Sequence, residues 1–271
     1  MLYEKTLKII DETIELYTKS PIDLLDTNDD ESIYIRWSRI SYVRTIEDIV
    51  NYFTKIGRND YSKIKVLEIG AFLGIVSIIL AKLGFSVVAG DLPIFMKNKR
   101  LQQRYNEHVV AWSELDLKDG KIEFADGAFD LVIMCETLEH LNFNPVKSFF
   151  EINRILKKNG IFYLAHPNIA HWGNRKKLLL GQSIHNPIEH FFQQLDPKQN
   201  MVVAIHWREY SIKEIQELMG RTGFKIDRQY YFTSLGADQQ NHLSMVGLLF
   251  KIAIYPLFPS LRETIVTVAV K

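Results

Sequence analysis

The sequence predicts an α/β fold built on a mostly parallel sheet with helices on both faces. Short apolar runs rich in β-branched residues alternate with helical patterns through the middle of the 271-residue chain. Strands separated by helices need crossovers, and those place helices on both faces of a parallel sheet. The second observation is local. Val66-Leu67-Glu68-Ile69 breaks into the turn Gly70-Ala71-Phe72-Leu73-Gly74, and the next run, Val87-Val88-Ala89-Gly90, ends at Asp91. A strand, a glycine turn, a helix and a strand that ends in an acid about 20 residues on form the pattern of a nucleotide-binding βαβ unit.

In chain order, residues 2–18 carry apolar side chains at helical spacing and predict an amphipathic helix. Asp23 to Glu31 reads as an acidic loop, and Ile33, Trp37, Ile40, Val43, Ile46, Val50 and Phe53 predict a helix over 32–56. Strands are expected near 64–69, 86–90, 109–113, 130–135 and 160–166, with helices near 74–83, 93–106 and 145–157. A helix near 211–222 and strands at 224–232 and 263–270 complete the pattern. No internal repeat or low-complexity segment interrupts it.

The glycines narrow the ligand. A dinucleotide fingerprint needs a second glycine where the backbone meets the pyrophosphate and a third where the helix packs on the strand. Phe72 and Ile75 occupy those places, so a pyrophosphate is poorly served and NAD and FAD are disfavoured. The segment resembles motif I of the class I S-adenosylmethionine (SAM) dependent methyltransferases, with Phe72 replacing the middle glycine of G-x-G-x-G. Three more segments extend the resemblance in order: Phe129-Asp130-Leu131-Val132 running into Glu136-Thr137-Leu138-Glu139-His140; the helix and turn Glu151 to Gly160; and His206-Trp207-Arg208-Glu209-Tyr210-Ser211 followed by Gly223-Phe224. The last is similar to a segment of methyltransferases associated with glycan assembly.

That resemblance implies a Rossmann-like sheet of seven strands whose last strand is antiparallel, with SAM as cofactor. It also implies a helical cap over residues 1–60 and a methyltransferase domain over 61–271, with a substrate lid inserted at about 167–210. The site is expected at the carboxyl ends of the strands. Glu68, Gly70, Ala71 and Gly74 would hold the methionine end, helped by backbone NH groups at the helix start. Asp91 would accept the ribose hydroxyls or cap the next helix, Leu92 would flank adenine, and Asp116 lies in the 114–117 stretch expected near the adenine amino group. Glu136 would face the methionine end or the acceptor. Tyr34, Arg36 and Tyr42 would reach the ligand from the cap, or simply pack their helix.

The acceptor side is read from the histidines. His166, His171, His185, His190 and His206, five of the eight, fall between the fifth strand and Trp207. Methyl transfer from a sulfonium is an in-line displacement, and a hydroxyl acceptor must also lose its proton. A neutral imidazole suits that task near neutral pH. His206 is the first candidate base, with His166 and His190 behind it, and each reads equally as a structural residue. His140 is an architectural residue or a further base. With no H-E-x-x-H and no cysteine cluster, no metal is expected.

Composition sets outer limits. A hydrophobic content of 47% supports a substantial core, and a net charge of +1 gives no reason to expect a nucleic-acid partner. Lys97, Lys99, Arg100 and Arg104 read as an exposed helix face, and the [ND]-P-P-[YF] motif of base-amine methylation is absent after the fourth strand. Arg175-Lys176-Lys177 reads as a solvated helix start or a phosphate contact. One cysteine, Cys135, fits a reducing compartment, and the N-terminal stretch lacks a signal-peptide core, so a cytoplasmic location is expected. The apolar stretch Leu243 to Phe258 is short of a membrane span and suggests peripheral membrane contact, a homodimer, or packing between strands. The expected function is methyl transfer from SAM to oxygen, on a sugar or glycan intermediate. The alternatives are a small-molecule O- or N-methyltransferase of specialised metabolism and a noncatalytic SAM-binding or scaffold protein.

Overall fold

A computed structural model of the chain describes residues 2–24, 32–195, 205–233 and 253–271. Seven strands form one sheet in the order β3-β2-β1-β4-β5-β7-β6: β1 Lys65–Ile69, β2 Ser86–Asp91, β3 Ala111–Glu114, β4 Phe129–Cys135, β5 Leu156–Pro167, β6 Lys225–Phe232 and β7 Thr264–Val270. Strand β2 pairs in parallel with β1 and β3. Strand β7 runs antiparallel to β5 and β6, between which it lies. The expected mixed seven-stranded sheet is therefore present. Strand β4 is buried at all but its last position, reading Phe-Asp-Leu-Val-Ile-Met-Cys, as a strand covered on both faces should.

The described residues gather into two compact units, one of 2–24, 32–116 and 129–131, the other of 117–128, 132–195, 205–233 and 253–271. The first contains helices α1 Leu2–Lys19, α2 Ser32–Trp37, α3 Arg39–Lys55, α4 Ile75–Lys82, α5 Pro93–Met96 and α6 Lys99–Glu107. The predicted helix over 32–56 is divided at Ser38. The one predicted over 93–106 breaks at Asn98, whose side chain accepts from the Arg100 and Leu101 amides and so starts a new helix. Arg104 is not on an exposed face. Only 6% exposed, it donates to the Ser20 carbonyl at 3.0 Å and lies over the Tyr17 ring at 4.6 Å, so its stem and charge are spent on packing α1.

In the second unit lie α7 Val146–Ile155, α8 Trp172–Leu179, α9 Ile188–Gln193 and α10 Ile212–Arg221. The expected turn before the fifth strand falls inside β5: Asn159 takes φ +63°, while Lys271 donates through its ammonium to the Leu156 carbonyl at 2.8 Å. Ser211 and Glu214 close a reciprocal capping box at the start of α10. Helices α8 and α9 lie in the segment expected to be a lid. No helix among the described residues is long and apolar enough to cross a membrane. Of the apolar stretch 243–258, residues 243–252 lie outside the described residues, as do 25–31 of the acidic loop.

Candidate active site

The turn expected to hold the donor lies in the first unit, between β1 and α4. Gly70, Phe72 and Gly74 all take positive φ, at +74°, +49° and +71°. Glycine adopts this region freely, whereas Phe72 is strained there. The strain is held by contacts. The Phe72 amide donates to an Asp91 carboxylate oxygen at 2.6 Å, its ring meets Phe95 edge-on at 5.5 Å, and the Tyr17 hydroxyl donates to the Leu73 carbonyl. Gly74 is fixed by a neighbour as well as by φ: a Cβ there would stand 2.2 Å from Cε1 of the buried Tyr105. Gly74→Ala should destabilise the fold by about 2–5 kcal/mol, combining left-handed strain with overpacking. A denaturant melt that matches the wild type would refute this.

Asp91, 8% exposed at the end of β2, accepts from the Phe72 amide through one oxygen and from its neighbour Leu92 at 2.7 Å through the other. Each oxygen keeps a second lone pair for a ligand hydroxyl. Burial lifts this carboxyl to about 6, against the two amide hydrogen bonds that favour its charge. Asp91 thus joins the motif turn to the second strand. Ala71 and Gly74 are buried and Leu92 is half-buried, while Asp116 is exposed. Of the cap residues, Tyr34 is exposed and Tyr42 half-buried.

Glu68 faces inward from β1. It accepts the Ser77 amide at 2.9 Å and the Ser77 hydroxyl, and so serves the first turn of α4. Burial raises this carboxyl to about 8, overcoming the two Ser77 bonds. The sign follows: the unfolded chain ionises Glu68 near 4.5 and the folded chain only near 8, so stability falls as pH rises through that window. Glu68→Gln should remove this part of the decline. Parallel melting curves for both proteins from pH 5 to 8 check it; equal slopes would place the proton elsewhere.

The second unit holds a separate constellation. Glu136 sits just past β4 at φ +48°, and burial lifts its carboxyl to about 7. Glu139, 1% exposed, has no hydrogen-bond partner among the described residues for either carboxylate oxygen, and its carboxyl is driven well up by burial and by Glu136. The His140 Nδ1 lies 3.0 Å from the Ile205 carbonyl, which accepts, so the proton is on Nδ1 and Nε2 is left as an acceptor. Burial and the neighbouring His206 hold His140 down near 4, hence neutral. The two imidazoles meet edge to face at 4.9 Å.

His206 is oriented from below. Its Nδ1 stands 2.9 Å from Glu209 Oε1, and Asn174 donates to Glu209 Oε2 at 3.0 Å. A base held by a carboxylate that is itself held by an amide has its tautomer and ring plane set, leaving Nε2 free. Burial raises Glu209, but the hydrogen bond and charge of His206 outweigh this and bring it below its usual range. His206, Glu209, His185, Ile169 and Ile184 line a small pocket. Asn186 joins two of the predicted histidines, accepting from the His206 amide at 3.0 Å and contacting His190 Nδ1 at 3.2 Å. His166 stands apart from them: wholly buried, it has Nδ1 on the Pro167 carbonyl and is held near 4 by burial. Glu209 and Asn174 were not singled out as site residues in the sequence; the spacing His206-x-x-Glu209 was the available signal.

Residues 37–229 match the family model described as "Methyltransferase domain". Two curated relatives carry the name ubiquinone biosynthesis O-methyltransferase: one from Pelagibacter ubique, 33% identical over 138 residues (48% of this chain, 52% of the relative), and one from Rickettsia typhi, 28% identical over 131 residues (48% and 51%). The chain spans about half the length of these relatives. Among solved structures, a protein of Pyrococcus horikoshii OT3 is similar with TM-score 0.54 at 20% identity, covering 94% of this chain and 98% of that one. An S-adenosylmethionine dependent methyltransferase from Mesorhizobium loti is similar with TM-score 0.51 at 14% identity, covering 78% and 93%. At such identities the structures speak for the fold alone, and it is the fold described above. The family match spans the motif turn, Asp91 and the His206 segment together, and SAM is the cofactor that it implies: the chain belongs to the methyltransferase domain family.

Proposed function

We propose that this chain transfers the methyl group of SAM to a hydroxyl oxygen. The observation that carries the reading is the His206–Glu209–Asn174 arrangement, an imidazole oriented by a carboxylate that is itself held by an amide, beside a small pocket. In the step, the acceptor O–H loses its proton to this imidazole–carboxylate cluster, His206 first. The oxygen lone pair then forms the new C–O bond as the C–S bond breaks, its electrons staying on sulfur to give S-adenosylhomocysteine. Asp91, Gly70, Ala71, Gly74 and Leu92 hold the donor in this reading, with Glu68 acting from behind the turn.

For the acceptor, two classes compete. The sugar or glycan reading rests on the His206 to Ser211 motif. A phenolic or otherwise apolar hydroxyl acceptor is favoured by the exposed Leu178, Leu179, Ile188 and Phe192 of α8 and α9, and agrees with the names of the curated relatives. Exposed Leu257 and Phe258, at the end of the 243–258 stretch, extend this to peripheral membrane contact from a cytoplasmic location.

Calorimetric titration with SAM and S-adenosylhomocysteine, with NAD as control, followed by transfer of labelled methyl to a panel of sugar nucleotides, glycans and phenols, tests the reading. Saturable SAM binding and label in an ether product support it. A folded chain that binds SAM but labels no acceptor supports the noncatalytic alternative, and one that binds no SAM removes the donor site.

A further inference from the structure

Three groups of the second unit converge from two distant parts of the chain: Glu139, His140 and His206. One ligand atom from each lies within 4.8 Å of the others, and Glu139 Oε1 stands 3.8 Å from His140 Nε2. We propose that these residues form a binding site for a first-row divalent metal ion, with two imidazole nitrogens and one carboxylate as ligands.

Four features support the site. The Glu139 carboxylate is buried, and neither oxygen has a hydrogen-bond partner among the described residues, a costly arrangement that a cation would satisfy. Each imidazole has its Nδ1 engaged, His140 by the Ile205 carbonyl and His206 by Glu209, so each has its Nε2 lone pair available. That outer contact is the usual way a metal-binding histidine is oriented, and here both have one already. The set of two imidazoles and a carboxylate suits iron, cobalt, nickel or zinc, and it leaves coordination positions open. Two ligands about 2.1 Å from one ion stand at most about 4.2 Å apart. Closing on an ion therefore asks for a shift of about half an ångström, which the His206 side chain, 37% exposed, has room to make.

The site deepens the methyl-transfer reading and rests on it only for its purpose: with Nε2 of His206 given to an ion, the imidazole would no longer be the base, and the ion would instead favour the ionised form of an acceptor oxygen at an open position, its proton passing to solvent. The spacing of the histidines hides the site, because His140 and His206 belong to different motifs and the carboxylate precedes one of them directly.

The test is titration of the full-length, chelator-treated protein with Co²⁺, read by visible absorption and by calorimetry, without SAM or acceptor. One equivalent should bind the wild type with ligand-field bands of nitrogen and oxygen coordination, and Co²⁺ should raise its melting temperature. Glu139→Gln and His206→Ala should each weaken uptake at least about 100-fold, and Glu209→Gln, which removes only the outer partner, about 10- to 100-fold. His108→Ala, in the first unit, should bind as the wild type does. Folding of each variant is verified by circular dichroism, and the Co²⁺-dependent rise in melting temperature should vanish in Glu139→Gln. Absence of saturable uptake by the wild type, or uptake unchanged in Glu139→Gln and His206→Ala, overturns the proposal and leaves the methyl-transfer reading standing. Conversely, a chain that binds Co²⁺ at these residues but takes up no SAM keeps the metal site and loses that reading.

Discussion

Asp91→Ala is expected to raise the dissociation constant for SAM by about 100-fold or more, because two hydrogen bonds to a charged oxygen are lost at about 1.5–3 kcal/mol each. The carboxylate also holds the turn itself, accepting from the Phe72 amide at 2.6 Å and the Leu92 amide at 2.7 Å. Removing it leaves these donors without their acceptor, at about 1–3 kcal/mol for each one that stays buried. Affinity and stability should therefore fall together, and the titration is run well below the variant's melting temperature. Asp91→Asn separates the effects. Its amide oxygen can still accept from Phe72, so it should recover part of the stability, while its NH₂ group cannot accept from a ribose hydroxyl and binding should stay weak. A SAM affinity equal to wild type in both variants would remove the donor assignment, whatever their stability.

The contrast between the two constellations shows what a sequence carries. The β1 turn was legible because its contacts are local in pattern: apolar run, glycines at positive φ, helix, apolar run, acid. Even Phe72, the departure from the glycine pattern, showed as a departure, though not how Asp91, Phe95 and Tyr17 hold the loop around it. Arg104 was misread for a related reason. It sits in a basic, polar helix, and only the arrival of Tyr17 and Ser20 from α1 buries it. The break at Asn98 had a signal, a capping residue three positions before a buried leucine, but the helical period of the flanking residues masked it. On the acceptor side, Glu139 and His206 are 67 positions apart and Asn174 comes from a third element. No periodicity links them, because their proximity is made by strands β4 and β5 and the segment that follows. Histidine richness marked the region from which His206 comes and could not rank its members: His166 proved a wholly buried strand residue and His190 an amide partner.

His206→Ala should lower turnover by about 10²–10⁴-fold, the range for loss of a positioned proton acceptor, with SAM affinity unchanged because none of the residues proposed to hold the donor is altered. Glu209→Gln is the more discriminating change. It keeps the shape and an amide oxygen near His206 Nδ1, but removes the charge that favours a protonated imidazole. If Glu209 only supported the fold, this variant would lose stability and keep kcat. If it positions and charges the base, kcat should fall by about 10- to 100-fold with little change in KM, and the acid limb of the kcat profile should move to lower pH as the imidazolium becomes harder to form. Asn174→Ala provides the next step outward. It leaves Glu209 Oε2 without its 3.0 Å donor, so its effect should have the same signature and be smaller. Three variants declining in that order, with one unchanged SAM affinity, would trace the arrangement from reacting nitrogen to support. A kcat unaffected by His206→Ala would place proton removal outside this cluster and leave Glu136, the remaining carboxylate just past β4, as the group to change next.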